Sequence, residues 1–404
     1  MSAQLTTPSE RGVDLSLPTF RQSQRTIATR VLAVVRWPVG GIRTHLQYNY
    51  TPLAAAGYRF TLVGPADDSL EQLRTGLDEL EDVEYYGVPV QGRSCRLWPE
   101  TRRLLRTGRF ALMHAHGLTA GVHAVLANLG IGVPLVVTLH EPLRSTQFPG
   151  FLGRLKRWAM GRLLRRADRI IAVSDDARTN LLAYLPGLRA QRVLTVSNGI
   201  NTEKYARTAP RAKNELRQRL KIGSDTALFG YLGRFMPEKG FPVLLEAIQQ
   251  LVQRYGTERF HLAAFGAGDY RREYQKRIDA LGLGRLVTLL DFVPDVQPIL
   301  ADLNLVVVPS LWEASSLVSM EAMSAGVPVL GSDCPGLREV LRGTPSVMVP
   351  AGDAVLLCEG LSRYLDLPWN QEARDFAPLA RARFDSSLPA RRLKELFDSL
   401  MMPS

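Results

Sequence analysis

The sequence predicts an α/β protein built from two doubly wound parallel-sheet domains that face each other across a cleft. Short apolar runs rich in β-branched residues alternate with helical patterns along the whole chain, which is typical of parallel sheets covered by helices on both faces. The chain has 404 residues, and at roughly 150 residues per domain this length favours two or three domains. Residues 198–213 break the pattern with an Asn-Gly pair, basic residues and Pro210, as a linker between two halves would.

Seven apolar runs in the first half of the chain and five in the second half predict strands. The runs of the first half are 26–35, 60–63, 83–88, 112–114, 135–140, 169–173 and 192–196. The runs of the second half are 227–232, 261–265, 287–290, 305–309 and 327–331. Helices are expected between them, for example at 242–254 and at 319–325, the second of which ends at Gly326. Ligands of such sheets bind beyond the carboxyl ends of the strands.

The order of these elements divides the chain into four segments. Residues 1–28 are polar and lack the apolar centre of a signal peptide, so they are expected to form a loose, flexible arm. Residues 29–203 are expected to form the first sheet domain, residues 204–385 the second, and residues 386–404 a C-terminal helix. No run approaches the roughly 18 to 20 apolar residues of a membrane-spanning helix, and three widely spaced cysteines fit a reducing compartment, so a cytoplasmic protein is expected.

Positive charge is concentrated in the first half of the chain. Residues 1–201 hold 25 Lys and Arg against 15 Asp and Glu, whereas the remaining residues hold 25 and 24. The surplus is densest at 93–169, where basic and apolar residues alternate at near-helical spacing from residue 151 onward. Such a helix is typical of contact with an anionic membrane surface or a phosphate-bearing substrate, but a solvated face beside a core stripe gives the same pattern. The candidate membrane-surface residues are Arg154, Arg157, Arg162 and Arg165.

Two motifs of the second half place charged side chains at the predicted carboxyl edge of a sheet. A loop after the first strand carries Arg234 and Lys239, and an arginine fork with a lysine point charge stabilises a diphosphate leaving group. A lone Arg or Lys is more often a surface ion-pairing residue. Glu313 precedes a helix and Glu321 lies about one turn inside it, so both carboxylates are expected to accept hydrogen bonds from sugar or ribose hydroxyls. A helix-start acid favoured by the dipole would explain Glu313 equally.

The first half offers glycines and histidines at its predicted strand ends. Gly40 and Gly41 open a helix, and paired glycines let a ligand approach the backbone and the free N–H groups of a helix N-terminus, although a plain tight turn explains them equally. His140 closes one strand and His116 follows another, where a hydrogen-bonded cap histidine is the commoner role. His114, His116 and His123 lack metal-ligand spacing supported by Cys or carboxylates, so no metal site is predicted.

In chain order, these motifs resemble those of the retaining nucleotide-sugar glycosyltransferases of family four, which have the GT-B fold of two Rossmann-like domains. The resemblance runs from about residue 29 to the C-terminus. Its pieces in the first half are Gly40-Gly41 with His45, Met113-His114-Ala115-His116, Thr138-Leu139-His140, Ile171 to Ser174 and Val196 to Asn201. Its pieces in the second half are Gly233-Arg234, Glu238-Lys239-Gly240, Gly266-Ala267-Gly268 and the block from Glu313 through Glu321 to Val329.

The resemblance implies a role for each matching residue. Arg234 and Lys239 would hold the donor diphosphate, with Gly41 approaching it from the facing domain. Glu313 would contact the donor sugar and Glu321 the ribose hydroxyls. The remaining candidates are Ser316 and Leu317 in the donor pocket, His140 beside the reacting face of the sugar, and Gly40, His45 and His116 on the acceptor side. The family typically has Gly-Phe-Gly after the first glutamate, and Ala314-Ser315-Ser316 stands there instead, which leaves the donor sugar open.

The implied reaction moves a hexose-type sugar from a nucleotide-diphosphate donor to a hydroxyl acceptor with retained anomeric configuration. Neither a cofactor nor a divalent metal is expected, because Arg and Lys replace the metal electrostatically. In this family the acceptor binds mainly to the N-terminal domain, where the arginine surplus lies. A membrane-associated glycan or glycolipid of cell-surface polysaccharide synthesis is therefore the expected acceptor, with the enzyme peripheral at the inner face of the membrane. The C-terminal helix often crosses back to the first domain, and residues 388–400 are the segment that would do so.

Three alternatives stay open at this point, and one of them is a degenerate scaffold that binds the donor without catalysis. A nucleotide-sugar epimerase uses the same scaffold but consumes its donor without an acceptor. A nucleic-acid-binding protein would use the arginine-rich stretch at 93–169, but no known DNA- or RNA-binding motif is present, so no nucleic acid is expected.

Overall fold

The structure is a computed structural model that describes residues 29–38, 40–78, 80, 82–90, 96–206 and 214–402. The arm expected at 1–28 lies outside these residues, as does part of the expected linker. The described strands form two parallel sheets, one of seven strands and one of six, which confirms the predicted fold class. Each sheet is covered by helices on both of its faces, as the continuous burial of its central strands requires.

The first sheet has the strand order β3-β2-β1-β4-β5-β6-β7. Its strands are β1 Thr29–Val35, β2 Tyr58–Pro65, β3 Glu84–Val88, β4 Leu112–His116, β5 Leu135–Leu139, β6 Arg169–Ala172 and β7 Val193–Thr195. β4 and β5 are buried along their whole length. All seven strands coincide with predicted runs, with shifts of a few residues at their ends.

The second sheet has the strand order β10-β9-β8-β11-β12-β13. Its strands are β8 Ala227–Leu232, β9 Phe260–Phe265, β10 Val287–Leu290, β11 Leu305–Val308, β12 Val329–Ser332 and β13 Val347–Val349. The prediction of five strands was wrong by one, because β13 was missed. This edge strand has only three residues, and one of them, Met348, is exposed, so it carries no readable period.

Helices connect the strands and pack on the sheets. They are α1 Gly41–Ala55, α2 Asp68–Gly76, α3 Leu97–Leu105, α4 Leu118–Asn128, α5 Gly150–Leu164, α6 Asp175–Tyr184, α7 Glu203–Ala206, α8 Glu215–Leu220, α9 Phe241–Tyr255, α10 Arg271–Ala280, α11 Gln297–Leu300, α12 Leu317–Ser324, α13 Leu337–Leu341, α14 Ala354–Asp366, α15 Asn370–Phe384 and α16 Ser387–Met401. The helix predicted at 319–325 begins two residues earlier, because Ser316 accepts a hydrogen bond from the Ser319 amide and caps it. None of the helices in the described part is both long and apolar enough to span a bilayer.

The chain returns to the first domain after the second domain is complete. The Ile200 amide donates to Phe384 O at 2.8 Å, and the Ser386 amide donates to Ile200 O at 2.9 Å. These bonds join the segment that leaves the first domain to the segment that returns to it. α16 then packs against α1, and Phe397 is fully buried in the core of the first domain. The last helix of the chain is therefore part of the domain that carries the histidines.

Candidate functional site

The carboxyl ends of β1, β4 and β5 meet at one edge of the first sheet. Val35 pairs with His116, and His116 pairs with Thr138, so the three strands end at nearly the same level. The loops that follow them carry Gly40 and His140. The parallel register therefore collects these residues at the edge where ligands of doubly wound sheets bind.

Three buried histidines and the half-buried His140 form a cluster at this edge, and a tyrosine of α1 joins two of them. The Tyr50 hydroxyl lies 3.0 Å from His114 Nδ1 and 2.8 Å from His116 Nε2. His116 Nδ1 lies 3.1 Å from His140 Nε2, and His114 Nε2 lies 2.7 Å from the Thr138 hydroxyl. Burial lowers the pKa of His114, His116 and His140 well below the ordinary value, so the rings are neutral at physiological pH.

His45 of α1 packs edge-on against His140, with ring centroids 4.6 Å apart. Its Nδ1 lies 2.9 Å from Oδ1 of Asn198, which therefore accepts the Nδ1–H. Burial lowers the pKa of His45 to about 4, against the effect of the Asn198 bond. The buried Nε2 of His45 is then an acceptor without a hydrogen-bond partner in the described part of the chain.

The same cluster is the one place in the described chain where three potential metal ligands come together. His45, His116 and His140 each offer a ring nitrogen, and these atoms lie within 4.8 Å of one another. Neutral imidazoles suit zinc and related ions. His116 and His140 already satisfy each other at 3.1 Å, however, so a metal ion would have to break that hydrogen bond.

The second half of the site is the loop that follows β8. Gly240 in this loop has a φ of 68°, and a Cβ there would lie 1.8 Å from Pro309 O, so only glycine fits where the loop passes the end of β11. Phe235 is fully buried and anchors the middle of the loop. Arg234 is left exposed and Lys239 partly buried.

Lys239 and Glu313 form an ion pair between adjacent loops. β8 and β11 are neighbours in the sheet, so the loops that follow them meet. Lys239 Nζ lies 2.5 Å from Glu313 Oε2, and the Ser310 hydroxyl donates to the same oxygen at 3.4 Å. Arg234 forms no ion pair with another residue that the structure describes. The two cations of the predicted motif are therefore close in sequence but differ in environment. Lys239 is ion-paired, whereas Arg234 is exposed to solvent.

Glu321 lies one turn inside α12 and is buried. Burial raises its pKa to about 7, while a hydrogen bond with Tyr205 and the charge of Lys204 oppose this rise. Tyr48 of α1 lies close enough that Glu321 raises the pKa of its hydroxyl, in addition to the effect of burial. The surroundings of Glu321 thus come from both domains, and its carboxylate is able to accept hydrogen bonds from vicinal hydroxyls.

The segment between Glu313 and Glu321 is fixed by a helix cap and by close packing against Gly336. Ser316 uses its hydroxyl to cap α12, accepting from the Ser319 amide at 3.3 Å, and Leu317 is the first residue of that helix. A Cβ at Gly336 would lie 2.2 Å from Ala314 O, so glycine alone permits this close contact. The residues that replace the family's usual Gly-Phe-Gly are therefore rigidly packed.

The glycines of the first domain lie at the start of α1. Gly40 has a φ of 56° and precedes the first helical residue, Gly41. A Cβ at Gly41 would meet no described atom within 4 Å, so the helix N-terminus faces open space that a ligand is able to enter.

Contacts between the domains join the two halves of the site. Arg144, in the loop after β5, pairs with Glu238, in the loop after β8, at 3.2 Å. The Trp312 indole donates to Pro142 O at 3.2 Å. The loop that carries His140 therefore meets the loops that carry Lys239 and Glu313 where the two domains touch.

Several site residues were missed by sequence reasoning. Tyr50 and Tyr48 lie on α1, and neither was a candidate in the sequence analysis. Asn198 lies in the Val196 to Asn201 motif, but no role was predicted for it. Tyr205 lies shortly after this motif, on α7. The period of α1 could have marked Tyr50 as buried, since it aligns with Leu46 and Leu53, but nothing in the sequence pairs its hydroxyl with histidines of β4.

Helix α5 carries exposed apolar side chains. Phe151 is 71% exposed, Leu152 76%, Leu155 50% and Trp158 53%. A core stripe on this helix, one of the two interpretations of the pattern, is therefore wrong for these four residues. Arg154 and Arg162 are exposed, whereas Arg157 and Arg165 are half-buried. Apolar and cationic groups thus share one solvent-facing surface.

Comparisons with known proteins agree with this architecture. Residues 39–204 match a family model described as Glycosyltransferase Family 4, and residues 226–366 match one described as Glycosyl transferases group 1. The alpha-D-kanosaminyltransferase of Streptomyces kanamyceticus is 30% identical over 334 residues, which cover 78% of this chain and 85% of that protein. The phosphatidyl-myo-inositol mannosyltransferase of Mycobacterium leprae is 29% identical over 372 residues, covering 89% and 93%.

Solved structures share the fold at lower identity. Alr3699/HepE of Anabaena in complex with UDP-glucose has a TM-score of 0.78 at 23% identity, covering 92% of this chain and 99% of that chain. WaaG, a glycosyltransferase involved in lipopolysaccharide biosynthesis, has a TM-score of 0.68 at 19% identity, covering 92% and 99%. The chain therefore belongs to glycosyltransferase family 4 and has the GT-B fold.

Proposed function

We propose that the protein transfers a hexose-type sugar from a nucleotide-diphosphate donor to a hydroxyl acceptor and retains the anomeric configuration. The observation that carries this proposal is the Lys239–Glu313 pair beside the exposed Arg234, where the loops after β8 and β11 meet. Cations bind a diphosphate and a carboxylate binds sugar hydroxyls, which together describe a sugar donor. The structures of Alr3699/HepE contain UDP or UDP-glucose, which supports a nucleotide sugar.

In this reaction the bond between C1 of the sugar and the diphosphate oxygen breaks, and C1 forms a new bond with the acceptor oxygen. The acceptor hydroxyl gives its proton to the departing phosphate oxygen, so a nucleoside diphosphate and a glycoside leave. Both events occur on one face of the sugar, which keeps the configuration at C1. Arg234 and Lys239 stabilise the negative charge that develops on the diphosphate, and we propose that no divalent metal ion and no cofactor is needed for this.

The donor is tested by thermal shift with a panel of nucleotide sugars and nucleoside diphosphates in the presence of EDTA, beginning with UDP-glucose. Nucleotides that carry one particular nucleobase are expected to raise the Tm in a concentration-dependent way, since a ligand stabilises the state that binds it. If no nucleotide sugar or nucleoside diphosphate raises the Tm, the proposal is wrong. Incubation with the donor alone separates a transferase from an epimerase, because an epimerase consumes the donor without an acceptor.

We further propose that the acceptor is a membrane-associated glycan or glycolipid of cell-surface polysaccharide synthesis, reached from the cytoplasmic side by a peripherally bound enzyme. The exposed apolar and cationic surface of α5 supports this, since such surfaces bind anionic bilayers. The relative from Mycobacterium leprae is by name a phosphatidyl-myo-inositol mannosyltransferase, which supports a lipid-linked acceptor.

A further inference from the structure

The hydrogen bonds of the histidine cluster form one unbroken chain. It starts at the Thr138 hydroxyl, passes through His114, the Tyr50 hydroxyl and His116, and ends at His140. His114 and His116 are at most 1% exposed, and Tyr50 and Thr138 are equally buried. His140 Nδ1, the nitrogen at the end of the chain, has no hydrogen bond with a described residue.

Each group in the chain has a fixed number of protons. Burial keeps the three imidazoles neutral, so each ring carries one N–H and one lone pair. Burial also raises the pKa of Tyr50, so its hydroxyl keeps its proton. That hydroxyl lies between two rings and has a single proton, so it must donate to one ring and accept from the other.

This condition leaves two arrangements. If Tyr50 donates to His114 Nδ1, it accepts from Nε2–H of His116, whose Nδ1 then accepts from Nε2–H of His140. All three rings are then Nε2–H tautomers, and His140 Nδ1 presents a lone pair. If Tyr50 donates to His116 Nε2 instead, every bond reverses and His140 Nδ1 presents an N–H.

We propose that Tyr50 is a positioning residue that keeps His114, His116 and His140 in the same tautomer, so that His140 offers one defined hydrogen-bonding role to the substrate and the chain reverses as a unit. The proposal rests on the proposed function, in which His140 lies beside the donor sugar. A sugar oxygen that accepts a hydrogen bond would select the arrangement in which His140 Nδ1 carries the proton. A sugar hydroxyl that donates would select the arrangement in which His140 Nδ1 presents its lone pair. The reversal creates no charge in a buried site, where a charge would be costly.

The tautomers are read directly by NMR of protein labelled with ¹⁵N in its histidine rings, because N–H and lone-pair nitrogens differ in chemical shift. The whole protein has only six histidines, and single His→Gln variants assign the ring signals to individual residues. In the wild type, His114, His116 and His140 are expected to show the same tautomer or the same mixture of tautomers. Three neutral rings of unlike tautomer would overturn the proposal without any variant, as would stoichiometric zinc bound to His116 and His140.

The variant Tyr50→Phe removes the hydroxyl that joins the two parts of the chain. His114 is then expected to adopt tautomer populations that no longer match those of His116 and His140. Tyr58→Phe is the matched control, because Tyr58 is also a buried tyrosine of the first domain and its hydroxyl bonds to Asp398, outside the chain. Unchanged ring spectra in Tyr50→Phe would overturn the proposal.

Kinetics separate the role of Tyr50 from simple stability. Tyr50→Phe is expected to lower kcat by up to about 100-fold, the effect of a misplaced functional group, while the donor KM changes little. Tyr58→Phe is expected to keep the wild-type kcat. If Tyr50→Phe uncouples the rings but keeps the wild-type kcat, the positioning role is wrong. If the wild type transfers no sugar at all, the proposed function fails, and the wild-type ring spectra still decide whether the three tautomers are coupled.

Discussion

Lys239 is the residue on which the proposed chemistry depends most. Its ammonium group is already held at 2.5 Å by Glu313, so it is oriented before a donor arrives. Lys239→Ala is expected to lower kcat by about 100- to 1000-fold, the cost of removing one group that stabilises developing negative charge. Initial rates of transfer with a saturating donor measure this effect.

The matched control for this change is Lys394→Ala. Lys394 also pairs with a carboxylate, Asp398, at 2.6 Å, but it lies on α16, away from the second-domain loops. Its removal is expected to leave kcat within a few-fold of the wild type. A near-normal rate in Lys239→Ala would contradict the diphosphate assignment.

Glu321 makes stability depend on pH in a direction that its environment fixes. Its pKa is raised from 4.5 to about 7 by burial, so the folded state holds a proton that the unfolded state loses near pH 4.5. The stability contributed by this proton is complete below pH 4.5 and is lost as the pH rises through 7. Glu321→Gln removes the effect, so the free energy of unfolding of the variant relative to wild type is expected to increase by up to about 3 kcal/mol between pH 5 and pH 8.

Denaturant unfolding at the two pH values measures this difference. Glu321→Gln is also expected to weaken donor binding, because a neutral amide accepts hydrogen bonds from ribose hydroxyls less strongly than a carboxylate does. Equal donor affinity in the variant and the wild type at pH 8 would contradict the ribose role.

Helix α5 is the element that the membrane proposal depends on. Each Lys or Arg near an anionic bilayer contributes about 1 kcal/mol to binding, so reversing the exposed Arg154 and Arg162 to Glu is expected to weaken binding to phosphatidylglycerol vesicles by at least about 30-fold. Reversing Arg272 and Lys276 on α10 gives the same change in net charge and is expected to have little effect. Co-sedimentation measures the vesicle binding of both variants. If the wild-type protein does not bind the vesicles, the membrane proposal is wrong.

The strands of both domains could be predicted because buried parallel strands read as continuous apolar runs. β13 could not, since three residues with one exposed side chain carry no such signal. The outer face of α5 was also undecided in the sequence, because the same spacing describes a core stripe or an exposed surface. Only the packing of α5 on its neighbours shows that Phe151 and Leu152 are left in solvent.

The site was predictable to the extent that each residue stands at the end of its own strand. Arg234, Lys239 and Glu313 follow single strands, so their position at the sheet edge could be inferred from local sequence. The histidine chain could not, because it depends on β1 and β5 both flanking β4, and on α1 lying over them. Tyr50 reads as an ordinary core aromatic until the register of β4 brings His114 and His116 to its hydroxyl.

At the scale of the whole molecule, a second contact joins the domains beside the loop that follows Glu313. Glu339 of α13 accepts hydrogen bonds from the Asp175 and Asp176 amides at the N-terminus of α6. Asp176 in turn accepts from Arg338 and from the Gly336 amide. Because Gly336 packs directly against Ala314, this contact also supports the loop between Glu313 and Ser316.

Loss of this contact is expected to shift the molecule toward a more open arrangement of its domains. Arg338→Ala removes an ion pair worth about 1 kcal/mol, which corresponds to a roughly fivefold change in the ratio of open to closed molecules. Small-angle X-ray scattering should show a larger radius of gyration. The donor KM should rise, because the loop between Glu313 and Ser316, which we propose contacts the donor sugar, loses its support. Arg277→Ala breaks a comparable pair with Glu246 inside the second domain, and it should change neither quantity. If both variants scatter like the wild type, the contact does not hold the domains together.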